Sequence, residues 1–150
     1  MDDDLPPRIL AVDPGQKRIG LAVSDPFGNF AVGLDTLANG PGQLPLQQLA
    51  AICQQYAIYQ IVVGLPLHMN GDEGESARLA REFADSLQTA VNIPVELMDE
   101  RLTSRVAAQS LREQGIQSSK KRKTGIIDQA AAMRLLQDYL DRRANRNRLL

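Results

Sequence analysis

The stretch RILAVDPGQKRIGLAVS, Arg8 to Ser24, decides how this chain folds. Arg8 to Asp13 is a short apolar run closed by Pro14-Gly15, which reads as a buried strand. Arg18 to Ser24 alternates and then meets the turn signal Asp25-Pro26-Phe27-Gly28-Asn29. Phe30 to Leu37 is a third extended stretch. Three strands joined by short turns make an antiparallel meander.

Downstream of the meander the period changes. From Gln43 to Tyr56, apolar residues fall at Leu46, Leu49, Ala50, Cys53 and Tyr56, at helical spacing. Ile58 to Leu65 (IYQIVVGL) is β-rich, and Pro66 to Gly74 is a loop without period. Ser76 to Val91 is helical, with Leu79, Ala80, Phe83, Ala84 and Leu87 on one face. Val95 to Met98 is a fifth strand. Thr103 or Ser104 can cap a helix that runs to Gly115. Gln117 to Lys123 reads as a polar basic loop, and Ile126 to Leu140 as a last helix with Ile127, Ala130, Ala131, Leu135 and Leu136 inward. The order β-β-β-α-β-α-β-α-α predicts an α/β fold, a mixed five-stranded sheet with helices on both faces. Ribonuclease-H-like folds have this order. Actin-like and hexokinase-like ATPase domains also use it, usually twice in one chain, so a single copy counts against them.

At 150 residues and 43% apolar content the chain has material for one real core. The expected layout is a disordered lead over 1–7, one domain over 8–141 and a basic tail over 142–150. No apolar run approaches the ~20 residues that span a bilayer. Asp2-Asp3-Asp4 is the wrong charge for a secretory n-region. Cys53, the single cysteine, excludes an internal disulfide and a cysteine-rich zinc site, and reads as a small core residue. A small cytoplasmic domain is the expectation.

The net charge of −1 hides an asymmetry. Residues 1–100 carry five Lys or Arg against fourteen acids, a balance of −9; residues 101–150 carry twelve against four, a balance of +8. A basic final third on an acidic body suits a local polyanion contact. The same charges can also be a solvated helical face with a frayed tail.

Three acids stand at the ends of elements: Asp13 ends the first strand, Glu100 follows the fifth, and Asp128 lies in the first turn of the last helix. Each has an ordinary structural reading, as a turn former, a solvated acid and a helix-dipole partner respectively. Together they suggest more. Parallel strands present their C-terminal ends on one rim, where α/β sites form. Converging carboxylates are natural ligands for Mg²⁺ or Mn²⁺, and two ions ~3.5–4 Å apart suit in-line phosphodiester hydrolysis. Lys17 and Arg18 follow Asp13 in a turn whose glycines, Gly15 and Gly20, can admit a phosphate. Arg101, Arg105 and the run Lys120-Lys121-Arg122-Lys123 flank the other two acids and would draw in nucleic-acid phosphates. The six aromatics do not interleave with that run, which favours backbone or shape recognition over base stacking. His68, the one histidine, removes a His-dependent triad and a multi-His zinc site. No P-loop pattern occurs.

Four blocks resemble the YqgF family, the RuvX-like ribonuclease-H-fold proteins described as pre-16S rRNA nucleases or Holliday junction resolvases. They are Asp13-Pro14-Gly15-Gln16-Lys17-Arg18-Ile19-Gly20, Val63 to Gly71 (VGLPLHMNG), Asp99-Glu100-Arg101-Leu102-Thr103-Ser104, and Lys121-Arg122-Lys123 with Ile127 to Ala132 (IDQAAA). The match runs from Arg8 to about Tyr139 in order. It implies Asp13, Glu100 and Asp128 as catalytic, metal-binding acids, with Mg²⁺ or Mn²⁺, in a nuclease acting on structured RNA or branched DNA. Related junction resolvases carry a fourth acid one turn after the last; here that position is Ala131. His68 stands where the family often has Asn, and is given no role.

The leading expectation is therefore a metal-dependent endonuclease, with 5′-end processing of pre-16S rRNA ahead of junction resolution. Lys17, Arg18, Arg101, Lys120, Lys121, Arg122 and Lys123 are its expected nucleic-acid contacts. Two other classes stay open, a nucleotide-binding domain and a non-catalytic RNA-binding ribosome-assembly factor. No heptad seam marks a dimer, so a monomer or weak homodimer is expected.

Overall fold

The uninterrupted apolar strands of the sequence occupy the middle of one five-stranded sheet. The computed structural model describes residues 7–15, 17–40, 44–67, 70–100 and 120–148. Its elements are β1 (Arg8–Pro14), β2 (Arg18–Ser24), β3 (Ala31–Ala38), α1 (Leu46–Gln55), β4 (Ile58–Leu65), α2 (Glu75–Val91), β5 (Val95–Asp99) and α3 (Lys120–Arg148). The strand order is β3-β2-β1-β4-β5. The meander pairs β1–β2 and β2–β3 antiparallel. The crossovers through α1 and α2 make β1–β4 and β4–β5 parallel. The mixed sheet expected from the element order is therefore present. The helix expected from Thr103 or Ser104 to Gly115 lies outside the described residues, as do Gln16, His68 and Arg101.

Two cores form, one on each face of the sheet, as alternating strand residues dictate. Leu10, Val12, Ile61 and Val63 pack under α1 and α2 with Leu49, Cys53, Phe83 and Leu87. Ile9, Ala11, Ala22 and Val62 pack under α3 with Ala132, Leu135, Leu136 and Leu140. Full burial of a leucine such as Leu135 contributes roughly 1.5–3 kcal/mol. The buried face of α2 differs from the expected one by a single exchange: Ala77 is inside, while Leu79 is 49% exposed and borders a groove of about 630 Å³ that reaches Glu100.

The last helix is longer than its periodicity indicates. It begins at Lys120 rather than Ile126 and continues through 142–148, the stretch expected to be a tail. Lys and Arg are good helix formers, and Gly125 costs only about 1 kcal/mol against Ala. No proline interrupts the run, so the packed middle carries both polar ends with it. At 1.5 Å per residue the helix is about 44 Å long.

The β2–β3 hairpin ends in a tip organised by one side chain. The Asp25 carboxylate accepts N–H bonds from Asn29 and Phe30, each at 2.7 Å, and from Phe27 at 3.2 Å. Gly28 takes φ 76° to close the turn. Slight desolvation pushes the Asp25 pKa up, but these N–H bonds together outweigh it and leave the pKa lowered. Stability of this kind is present above the unfolded carboxyl value of 3.8 and is lost as pH falls through the lower folded value. Asp25→Ala is expected to cost about 1 kcal/mol at neutral pH, a Tm drop of roughly 2–4 °C by thermal denaturation. The difference should shrink in acid.

Candidate metal centre at the strand rim

The α3-facing alternation of the sheet runs straight into the acids. Ile9 and Ala11 are followed on that face by Asp13, Val62 by Gly64, and Met98 by Glu100. Because β1, β4 and β5 are parallel, all three of these positions lie at their C-terminal rim. Glu100 is buried, and its N–H donates to Leu65 O at 3.2 Å, which anchors it to the end of β4. The Asp13 and Glu100 carboxyl groups converge at this rim. Burial raises the Asp13 pKa, and the neighbouring Glu100 carboxyl works the other way.

Gly64, between the two acids, leaves the space in which they meet. A Cβ placed there would stand 2.5 Å from Glu100 Oε2 and 3.1 Å from Asp13 Oδ1. Gly64→Ala is therefore expected to keep the fold, since it meets side-chain ends rather than backbone. Cleavage should fall roughly 10²-fold, the usual penalty for a displacement of about 1 Å at a reacting centre. Circular dichroism with a nuclease assay separates the two effects.

Asp128 lies about two turns into α3, not in its first turn. That removes the helix-dipole explanation for this acid, which fades after one turn. Burial raises its pKa first and the neighbouring Asp13 charge second, while Arg18 acts in the opposite direction. Arg18 Nε is 3.5 Å from Asp128 Oδ2, an ion pair too long for a good hydrogen bond, and that Nε is buried without a hydrogen-bond acceptor. Among the described residues, no three His, Cys, Asp or Glu side chains stand close enough to hold one ion. The arrangement is a carboxyl pair, Asp13 with Glu100, and a third carboxylate beside it that faces Arg18.

The basic residues divide. Lys17 is exposed in the β1–β2 turn. Gly15 N–H donates to Arg18 O at 2.9 Å across that turn, and Asn39 bonds both Gly15 O (2.7 Å) and Lys17 O (2.9 Å). Asn39 carries no sequence signal; only the β2–β3 pairing brings it there. Lys120 to Lys123 form the start of α3, about two turns before Asp128.

Two carboxylates converging at a partly desolvated rim, one buried and one half-buried, are costly unless a proton or a cation intervenes. An all-oxygen donor set suits Mg²⁺ or Mn²⁺. The residues present therefore fit such an ion, with Asp13 and Glu100 as the nearest donors and Asp128 beside them.

The family model described as "RuvX: Holliday junction resolvase" matches residues 7–142. The chain belongs to the RuvX family. RuvX relatives named "Putative pre-16S rRNA nuclease" include one from Chloroflexus aurantiacus, 45% identical over 93% of this chain and 91% of its own length. Another, from Pelotomaculum thermopropionicum, is 44% identical over 89% and 86%. Among solved structures, RuvC of T. thermophilus in complex with a Holliday junction substrate aligns with a TM-score of 0.58 at 14% identity, over 93% of this chain and 97% of that one. The fowlpox virus resolvase with junction DNA aligns at 0.54 and 15%, over 89% and 97%. These structural likenesses establish the fold, a ribonuclease-H-like resolvase fold. As a RuvX protein the chain is a phosphodiester-hydrolysing nuclease. No helix of the described residues is long and apolar enough to cross a membrane.

Proposed function

We propose that this RuvX protein is a divalent-metal-dependent endonuclease of the cytoplasm that matures the 5′ end of pre-16S rRNA, with Asp13, Glu100 and Asp128 as its metal-binding and catalytic residues. The observation that carries the reading is the Asp13–Glu100 carboxyl pair over Gly64, with Asp128 facing it from α3. A bound Mg²⁺ or Mn²⁺ would supply Lewis acidity and a nucleophilic water. Asp13 and Glu100 would hold it, Asp128 would face it from α3, and Arg18 balances the Asp128 charge. Lys17, Arg18, Arg101 and Lys120 to Lys123 attract substrate phosphates to the rim. With Ala131 in place of a fourth acid, a second ion would rely on a substrate phosphate. One domain over 8–141 carries this machinery, as a monomer or weak homodimer.

The family description favours one second reading, resolution of a four-way DNA junction. A resolvase cuts two strands symmetrically and so works as a dimer. Cleavage of a pre-16S rRNA leader and of a four-way junction, side by side with Mg²⁺ and Mn²⁺, tests both. RNA cleavage by a monomer supports the proposal. Symmetric junction cleavage by a dimer, with the RNA intact, replaces it. Salt-sensitive RNA binding without metal-dependent cleavage would mean a non-catalytic factor.

A further inference from the structure

The end of the sheet opposite the carboxylates carries a feature that cleavage does not use. Phe27 and Phe30 are 67% and 66% exposed, and both sit on the hairpin tip that Asp25 organises. Gln137 of α3 braces that tip: its amide N–H donates to Asn29 O at 3.0 Å, and its Oε1 accepts from Ala31 N–H at 3.0 Å. The two rings are therefore displayed on a frame held by hydrogen bonds to Asp25 and Gln137. Next to Phe27 lies a cavity of about 240 Å³, also bordered by Tyr59, Leu140 and Arg143. This is smaller than the ~300–1,000 Å³ of pockets that enclose a whole small-molecule ligand.

One wall of the cavity is an aromatic ring with a cation on it. The Arg143 guanidinium stands 5.7 Å above the Tyr59 ring and donates to its hydroxyl. Arg146 follows one turn later on the same helix. Nearby acids are already engaged: Asp138 with Arg142 at 3.1 Å, Asp141 with the Gln137 amide at 3.1 Å, Asp25 with the tip, and Glu96 beside the Tyr139 hydroxyl. Among the described residues, Arg143 and Arg146 have no acidic partner. The linear sequence keeps the phenylalanines and these arginines more than a hundred positions apart; α3 brings them together.

Exposed rings beside guanidiniums without an acidic partner match the chemistry of unpaired nucleic acid, whose bases stack on aromatic faces while its phosphates meet cations. We propose that Phe27, Phe30, Arg143 and Arg146 form a second nucleic-acid contact that holds a single-stranded stretch of RNA by stacking, about 22 Å along α3 from Asp128. The proposal rests on the nuclease reading only in taking the ligand to be nucleic acid, because binding here requires no cleavage.

The test is fluorescence anisotropy of a labelled single-stranded oligouridylate with the full chain and no divalent metal. Phe27→Ala with Phe30→Ala is expected to weaken binding 10- to 100-fold. The Leu pair should lose as much, since it is apolar without a ring, and the Tyr pair should bind like the parent. Arg143→Ala with Arg146→Ala should lower the slope of log K against log salt by about 1.4. Metal-dependent cleavage of a substrate without an unpaired tail should be unchanged in all of these, with circular dichroism confirming the fold. Undiminished binding by the Ala pair would overturn the proposal, as would parent-like binding by the Leu pair. A parent dimer that the Ala pair converts to monomers, seen by sedimentation, would overturn it too, because the surface would then join two copies. If no cleavage is found while the ring-dependent binding holds, the metal-centre reading fails and this one stands.

Discussion

Asp13→Asn is expected to abolish metal-dependent cleavage, by about 10³-fold or more, while making the metal-free protein more stable. The first effect follows from removing the most central oxygen donor, because a lost Lewis-acid contact forfeits several kcal/mol of transition-state stabilisation. The second follows from burial. The folded-state pKa of Asp13 is raised above its unfolded value of 3.8. Below 3.8 the carboxyl is protonated folded or unfolded and costs nothing. As pH rises from 3.8 to the folded value, the unfolded chain gives up this proton while the fold keeps it, so stability falls, and the deficit persists above the folded value. An asparagine side chain carries no charge. The Asp13→Asn variant should therefore have the higher Tm at neutral pH without metal, and Mn²⁺ should raise the parent's Tm more than the variant's. Thermal melts across pH, with and without Mn²⁺, read both. A variant that cleaves like the parent would remove Asp13 from the site.

Gly20→Ala is expected to be strongly destabilising. A Cβ at Gly20 would overlap Asp128 O and lie 2.7 Å from Asp128 C. Both are backbone atoms, so no side-chain rotation relieves the contact, and α3 must lift from β2. Overpacking of this kind costs about 3 kcal/mol, out of a total stability of only ~5–15 kcal/mol. The expected Tm loss is roughly 6–12 °C, and cleavage should fall as well because Asp128 moves with its backbone. Gly40→Ala, where a Cβ would meet nothing within 4 Å, is the control and should be near neutral. Equal melting of the two variants would show that the helix is not seated on Gly20.

Much of this is legible in the order of residues. The continuous apolar run before Asp13 and the alternation after Lys17 identify the meander, and the later switch to helical spacing identifies the crossovers. Asp13, Glu100 and Asp128 stand out because acids rarely border apolar runs. Two kinds of information are hidden. One is close approach between distant backbones: Gly20 and Gly64 look like ordinary strand glycines until α3 and the two carboxyls lie over them. The other is contact between elements distant in the chain: the seating of the last helix on β2 joins Arg18 to Asp128, and β2–β3 pairing brings Asn39 to Gly15. Periodicity misplaces the ends of the last helix, at Lys120 and Arg148, because polar residues carry no periodic mark although they continue a helix readily.

The length of α3 has a geometrical consequence. One long helix carries Asp128, the proposed metal ligand, two turns from its start and Arg143 and Arg146 near its finish. Whatever strand is gripped at the far end reaches the blade at a preset offset. Such a protein would choose its cut as a ruler does, by counting from a landmark in the RNA rather than by spelling out the letters at the break.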